Sequence, residues 1–487
     1  MTPSSAESSQ ASFLPAQSVP LAVDLDGTLI KTDLLVEALF ALIKRNPLYL
    51  VKVVFWLLRG RACLKRETAR RIALDAGTLP YRPDLLDYLK AQHSLGRKLV
   101  LATGSNEQMA NCVADYLRIF DGVIASDGTD NLSGRRKLHR LVGEFGAKMF
   151  DYAGNNRGDL PVWSSARRAI VVNGSAALCR KVAGVCEVER VFERTADPFA
   201  AYLRALRPYQ WLKNILVFVP PFVGGALGIR PLFRESAAFL AFSLCASSLY
   251  LINDLIDLNP DRRHPHKRER PFASGELSPL WGLLTSPVLL ALSFLLGALL
   301  LPLSFLATLA VYCALDLVYS LWLKQVALLD VIILAGFYTL RLIAGSTAIA
   351  QWPSPWLLAF STFLFVSLAL VKRYGELAVM GLVDGQRARA RAYWYEDKDL
   401  LASMGIGSGY LAVLVLVIYI STGQAEIHYS RHQFVWLLCP TLLYWISHVW
   451  LSAHRCQMCD DPLVFTLSDT ASRAAMVVVV VLVLLAR

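Results

Sequence analysis

Nine long apolar stretches fill the second half of the chain, at about residues 214–230, 236–256, 279–300, 304–323, 327–349, 355–371, 405–422, 433–452 and 474–486. All but the last, which is short, approach the ~20 residues a helix needs to cross ~30 Å of hydrocarbon. Within a bilayer every backbone N–H and C=O must be satisfied internally, so a series of continuous apolar segments this long reads as helices. Residues 201–487 are therefore expected to form an all-α polytopic membrane domain of about nine transmembrane helices, with eight as the alternative. With the N-terminus inside, the loops after spans two, four, six and eight carry 5, 1, 6 and 2 Lys/Arg, whereas the opposite loops carry only Arg230, Arg234 and Arg431. That asymmetry obeys the positive-inside rule. The chain is 55% hydrophobic with net charge +11, yet its first 210 residues read as an ordinary soluble protein. Residues 1–18 are rich in Ser, Ala and Gln without a long apolar core, and are expected to be a disordered tail rather than a signal peptide or a first span.

The second apolar stretch runs straight into N-D-L-I-D-L-N-P-D-R-R-H-P-H-K-R-E-R-P, residues 253–271. Asn253, Asp254, Asp257 and Asp261 offer four side-chain oxygens, and Asp254 and Asp257 share one face of a helix. Carboxylates this close repel unless a cation neutralises them, and Mg2+ takes oxygen ligands together with substrate phosphates. The following Arg262, Arg263, Lys267, Arg268 and Arg270 suit phosphate oxygens that the metal leaves free. The pattern is that of a Mg-diphosphate site at a membrane surface. Asp316, Lys324, Asp330 and Arg341 lie inside or at the ends of other spans, where ionisable groups are costly and read first as functional.

The N-D-x-x-D-x-x-x-D motif in this setting resembles the first aspartate-rich motif of the UbiA superfamily of intramembrane prenyltransferases. Three more constellations fall on the same expected face. They are Arg207-Pro-Tyr-Gln210-Trp-Leu-Lys213-Asn214, Tyr319-Ser-Leu-Trp-Leu-Lys324 with Asp330 and Arg341, and Lys372-Arg373-Tyr374-Gly-Glu376. Typical aromatic prenyltransferases of the family carry a second, D-x-x-x-D motif; the stretch after span four holds Tyr319, Lys324 and Asp330 instead. The combination is similar to the decaprenyl-phosphate phosphoribosyltransferase branch. That resemblance implies transfer of phosphoribose from phosphoribosyl pyrophosphate (PRPP) to a polyprenyl phosphate. Asp254, Asp257 and Asp261 would then hold Mg2+ as the catalytic acids. Gln210, Lys213, Asn214, Asn253, Lys267, Arg270, Tyr319, Lys324, Asp330, Arg341, Lys372 and Arg373 would bind substrate.

In the soluble half, the apolar run V-P-L-A-V-D-L (residues 19–25) delivers Asp24 and Asp26 into a Gly27-Thr28 turn. Three further pieces follow in order: Lys98-Leu-Val-Leu-Ala-Thr103-Gly104, Leu132-Ser-Gly-Arg-Arg-Lys137, and Asp151-Tyr-Ala-Gly154-Asn155-Asn-Arg-Gly-Asp159. Together they resemble the haloacid dehalogenase (HAD) superfamily. The resemblance implies an α/β Rossmannoid domain over residues 19–200, with a helical cap over about 31–90. It makes Asp24 the nucleophile, Asp26 the general acid/base, Thr103 and Lys137 phosphate ligands, and Asp24, Asp26, Asn155 and Asp159 the Mg2+ ligands. Asn155 stands where the family usually has Asp, which removes one negative charge. Pro47–Leu58 is too apolar for an ordinary surface helix and too short to span, leaving a buried cap helix or a helix resting on the bilayer.

The expected whole is a bifunctional enzyme of a bacterial cytoplasmic membrane, its soluble domain and site loops facing the cytosol. Its partners would be polyprenyl phosphate, PRPP and lipid, not nucleic acid; oligomeric state is not readable. Two other readings stay open, an isoprenoid transferase acting on an aromatic acceptor and a transporter or lipid-binding scaffold with a degenerate phosphatase. The nine cysteines form no framework, and Cys456-x-x-Cys459 alone reads as free thiols.

Overall fold

The computed structural model describes residues 19–487 apart from 47, 73–74, 127–131, 194–196, 227, 265, 385–388, 391 and 459–460; the expected tail and Cys459 thus lie outside the described residues. The chain divides into two compact units. The first comprises residues up to Ala205 together with Asp254–Leu284, and the second Leu206–Asn253 with Thr285–Arg487. The expected boundary at 200 lies close to Ala205, but the aspartate-rich loop groups with the soluble half.

The first unit is built on a six-stranded parallel sheet. Its strands are β1 (Leu21–Val23), β2 (Leu99–Asn106), β3 (Gly122–Ser126), β4 (Asp151–Gly154), β5 (Arg168–Val172) and β6 (Glu187–Phe192), in the order β3-β2-β1-β4-β5-β6. Leu21 pairs with Leu99 on one side and Asp151 on the other. A strand covered on both faces needs an unbroken apolar run, and Leu-Ala-Val supplies it. Side chains alternate across the sheet. Leu21, Val23, Leu99 and Leu101 meet helices packed on one face, whereas Ala22, Val100, Tyr152 and Val171 meet those on the other.

Between β1 and β2 come the cap helices α1 (Leu34–Arg45), α2 (Tyr49–Leu58) and α3 (Arg61–Ala69), then α4 (Pro83–Ser94) against the sheet. Asp33 caps α1 by accepting from the N–H groups of Leu35 and Val36. A small core of Leu42, Trp56 and Leu64 joins the three cap helices. The loop Asp254–Leu284 belongs to the same unit through ion pairs. Arg262 donates from both terminal nitrogens to Glu37 of α1, at 3.0 and 2.7 Å, with both side chains 5% exposed. Arg263 pairs with Asp75, Arg204 with Glu276, and Lys44 Nζ donates to the Ile256 carbonyl at 2.5 Å.

In the second unit and its continuations, seven helices among the described residues are long and apolar enough to cross a membrane: Ile229–Ile256, Pro279–Leu300, Leu303–Leu321, Leu329–Ala348, Pro355–Val379, Tyr395–Ser421 and Gln433–His454. An eighth crossing is available if Pro462–Ser468 and Thr470–Ala486, bent by 90°, act together. The stretch 214–230 does not form one straight span. It folds as a 3-10 run, Pro208–Phe218, then a short helix, Val219–Gly224. Pro220 and Pro221 withhold two backbone donors there, which disfavours a continuous α-helix. The 3-10 backbone also sits tightly against the helix Leu329–Ala348, since a Cβ on Gly345 would collide with the Val217 carbonyl. That helix can accept the segment only because residue 345 has no side chain.

Candidate active sites

In a parallel doubly wound sheet, ligands gather beyond the carboxyl ends of strands where the order reverses. Here that point lies between β1 and its neighbours, and Asp24, Thr103 and Asn155 all fall there. Asp24 follows β1, its N–H fixed to the Ala153 carbonyl at 2.9 Å. The helix α5 (Glu107–Leu117) follows β2, and α6 (Arg135–Phe145) carries Lys137 in its first turn. Lys137 Nζ donates to Asp24 Oδ1 at 2.8 Å and to the Tyr152 hydroxyl at 3.0 Å, and lies 3.7 Å from Asp159. Tyr152 donates in turn to Asp159 at 2.9 Å. Asp159 Oδ2 accepts the backbone N–H groups of Asn155 and Asn156, so the acidic loop folds around its own carboxylate.

Asp26 is held differently. Its Oδ1 accepts the Leu34 N–H at 2.8 Å, and its Oδ2 accepts Ser105 Oγ at 2.6 Å with Thr103 Oγ1 3.5 Å away. The turn that follows the two acids requires Gly27, whose φ is 73° and where a Cβ would strike the Asn155 amide. Burial raises the Asp24 carboxyl to about 6, against the opposing pull of Lys137. Burial, reinforced by Asp33, raises Asp26 to about 7. Burial also opposes the Lys137 charge, but Asp24 and Asp159 outweigh it and hold the ammonium above its usual range. Among the described residues, no three acidic, His or Cys side chains gather closely enough to hold a metal by themselves. The donors available at this end of the sheet are nonetheless all oxygens, from Asp24, Asp159, Asn155 and the Asp26 carbonyl, the set a hard cation takes together with water and phosphate.

In the aspartate-rich loop, Arg270 Nη1 lies 3.2 Å from Asp254 Oδ1 and 2.7 Å from Asp261 Oδ2. Two buried carboxylates from either end of the motif thus converge on a single cationic position. Burial pushes the Asp261 carboxyl up, and Arg270 draws it back. Asp257 stands at the turn between the long helix and the short helix Leu258–Arg263, where its carbonyl accepts the Asp261 N–H. The Oδ1 atom of Asn253 is buried without a hydrogen-bond partner among the described residues, as an oxygen meant for a ligand would be. These residues fit Mg2+: the donors are oxygens and the acids already share one cation. Arg262 and Arg263 are committed to Glu37 and Asp75. Lys267 lies in a 3-10 turn, Lys267–Glu269, beside Arg270.

The second unit gathers the other sequence-derived residues into two buried networks. In the first, Lys213 and Lys372 donate to Asp461 Oδ2 at 2.7 and 3.3 Å, and Tyr338 donates to the same carboxylate. Nearby, Arg341 donates to Asn214 Oδ1 at 2.8 Å and to the Tyr312 hydroxyl, with Phe242 and Tyr338 against its guanidinium. In the second network, Arg373 joins Asp330 at 2.6 Å, Glu376 at 2.7 Å and the Tyr319 hydroxyl at 3.3 Å, while Tyr393 donates to Asp330. Asp330 and Arg341 therefore do not pair with each other. Asp316 accepts from Asn253 Nδ2 at 3.4 Å. Gln210 lies in the 3-10 run and Lys324 in the turn Leu323–Gln325, both partly exposed.

Sequence reasoning missed Ser105, Tyr152, Tyr338 and Asp461. Ser105 and Tyr152 lie in or beside motifs already singled out, but their polar groups carry no pattern of their own, whereas Tyr338 and Asp461 come from distant segments, and the one signal there was an acid, Asp461, at the start of an apolar run. Removing Asp461 would strand two ammonium groups in the bundle, and breaking a buried ion pair costs about 3–5 kcal/mol. Asp461→Ala is expected to lower the thermal midpoint in detergent well below that of Asp461→Asn, which keeps one accepting oxygen for these donors. Identical melting of wild type and Asp461→Ala would refute this role.

A model of the UbiA prenyltransferase family matches residues 217–461. Uncharacterized protein y4nM of Sinorhizobium fredii is 37% identical over 462 residues, 94% of this chain and 89% of its own length. The decaprenyl-phosphate phosphoribosyltransferase of Mycobacterium tuberculosis is 37% identical over 192 residues, 38% of this chain and 63% of that protein. Among solved structures, a HAD family hydrolase from Salmonella enterica aligns with 36% of this chain and 66% of its own, at 13% identity and a TM-score of 0.27. Matched by the family model over half its length and by a relative along 94% of it, the chain belongs to the UbiA prenyltransferase family.

Proposed function

We propose that this protein is a bifunctional membrane enzyme. Its transferase half joins a polyprenyl phosphate oxygen to C1 of PRPP and releases diphosphate. Its phosphatase half then removes the 5-phosphate, giving polyprenylphosphoryl ribose and inorganic phosphate. The observation that carries the first step is the convergence of Asp254 and Asp261 on one cationic position, in a chain similar to a decaprenyl-phosphate phosphoribosyltransferase. Asp254, Asp257 and Asp261 would hold Mg2+, which would supply positive charge to the departing diphosphate. Arg270 and Lys267, in the same loop as the acids, answer phosphate oxygens that the metal would leave free. An abundance of base suits PRPP, which carries a 5-phosphate besides its diphosphate.

For the second step, Asp24 attacks phosphorus while Asp26 gives its proton to the departing 5-oxygen, and Asp26 then takes a proton from the water that hydrolyses the aspartyl phosphate. Lys137 balances charge on Asp24 and the phosphoryl oxygens. This division of labour needs Asp24 ionised and Asp26 protonated. Phosphatase activity should therefore rise through about pH 6 and fall above about pH 7, a narrow bell belonging to the coupled pair. Were Asp24 and Asp26 to hold a cation, its charge would draw both limbs lower. A pH–rate profile flat between about pH 5 and 8 would remove Asp26 from the acid role.

The decisive assay incubates purified protein with labelled PRPP, Mg2+ and polyprenyl phosphate and identifies the lipid product by mass spectrometry. Ribose on the lipid supports the proposal. Label that stays in PRPP, with turnover of a prenyl diphosphate onto an aromatic acceptor instead, makes the protein an aromatic prenyltransferase.

A further inference from the structure

The cap helix α2 is apolar on two sides. Tyr49, Val53 and Trp56, spaced four and three apart, form the inner stripe and pack with Leu42 and Leu64. Val51, Val54, Phe55 and Leu58, at i, i+3, i+4 and i+7, form an outer stripe on a single helical face. That outer stripe is exposed: Val51 is 74% and Leu58 82% accessible, and Leu48, which precedes the helix, is 74%. A surface helix normally turns charge to water on this side. Here the only polar residue within α2 is Lys52.

The charge around the stripe has one sign. Lys44 and Arg45 close α1, Lys52 lies within α2 and Arg59 follows it, and all four are exposed. From Leu34 to Lys65 the only acid is Glu37, and it is buried against Arg262. Arg59 lies 4.3 Å over the Phe55 ring and Lys52 5.1 Å over Tyr49, so the cations flank the apolar face with their stems along it. An apolar stripe edged by cations complements the boundary between acyl chains and anionic headgroups. Among the described residues the same chain carries seven helices long and apolar enough to cross a bilayer, so the cap is covalently tethered to a membrane domain.

We propose that α2 is an interfacial helix that docks the phosphatase cap onto an anionic lipid surface. This does not depend on which phosphoester the domain cleaves. The occupant is the bilayer, and a second copy of the chain is the competing outcome.

The full-length protein is reconstituted into nanodiscs of phosphatidylcholine and phosphatidylglycerol containing a diazirine phospholipid, photolysed, and mapped by peptide mass spectrometry. Peptides covering 44–59 should be labelled about tenfold more than those of α4, another helix of the same unit. The double variant Val54→Glu/Leu58→Glu should lose that excess while the spanning helices label as before. Labelling of α2 no greater than α4 overturns the proposal, as does labelling unaffected by the two glutamates. Chain-to-chain cross-links through α2 in place of lipid adducts would assign the face to a second copy. Labelling does not report catalysis, so these outcomes stay separate from the assay for phosphoribose transfer.

Discussion

Replacing Asp254 or Asp257 with alanine is expected to reduce transfer by on the order of 10²–10³, the scale for losing one preorganised electrostatic group at a reacting centre. Asp254 is 3% exposed and shares one cationic position with Asp261. Without its carboxylate, that position loses half its fixed negative charge and holds a divalent cation poorly. Asp257 contributes to the local fold through its carbonyl, which an alanine keeps, so Asp257→Ala should insert and fold normally. Chelation by EDTA should reproduce the loss in wild type and be reversed by added Mg2+. A wild-type rate in metal-free buffer would end this account of the site, whatever the variants do.

The second large effect lies at the other active site. Asp24→Asn is nearly isosteric, and the backbone bond from residue 24 to Ala153 does not involve the side chain. The amide cannot form an aspartyl phosphate, so dephosphorylation should fall by on the order of 10³ or more. Transfer should continue. The lipid recovered would then carry ribose with its 5-phosphate intact, 80 Da or so heavier than the wild-type product. Mass spectrometry of the two lipids distinguishes the cases. Dephosphorylated lipid in equal yield from Asp24→Asn and wild type would take the phosphatase out of this reaction sequence.

Much of this arrangement was legible because some pieces are contiguous. A strand, a tight turn and two acids lie within eight residues, so Asp24, Asp26 and Gly27 could be read together, and the aspartate motif is likewise one short segment. The apolar runs leading to Asp24 and Thr103 read as buried strands, and the resemblance to the HAD superfamily implied the α/β fold that holds them. What could not be read depends on side chains that meet only after folding. Ser105 and Tyr152 sit on strands whose apolar pattern hides them, yet they hold Asp26 and link Lys137 to Asp159. Asp461 resembles an ordinary helix cap, which it also is, through the Leu463 N–H. The first apolar stretch looked continuous because hydropathy does not register that Pro220 and Pro221 lack donors. Arg262 and Arg263 looked like phosphate ligands for the same reason: sequence places a charge but does not say which acid it will find.

The pairing of Glu37 with Arg262 also dictates an order of events on the ribosome. The partners are 225 residues apart. At about 5–20 residues per second, Arg262 emerges on the order of 10–45 s after Glu37. In that interval the chain must lay down the whole sheet and deliver the apolar helix Ile229–Ile256 to the membrane. Only after Asp254 has been made can the cap receive the arginine that pairs with buried Glu37. The first unit thus includes a contact, Glu37 with Arg262, that cannot form until a segment downstream of the first long span has been made.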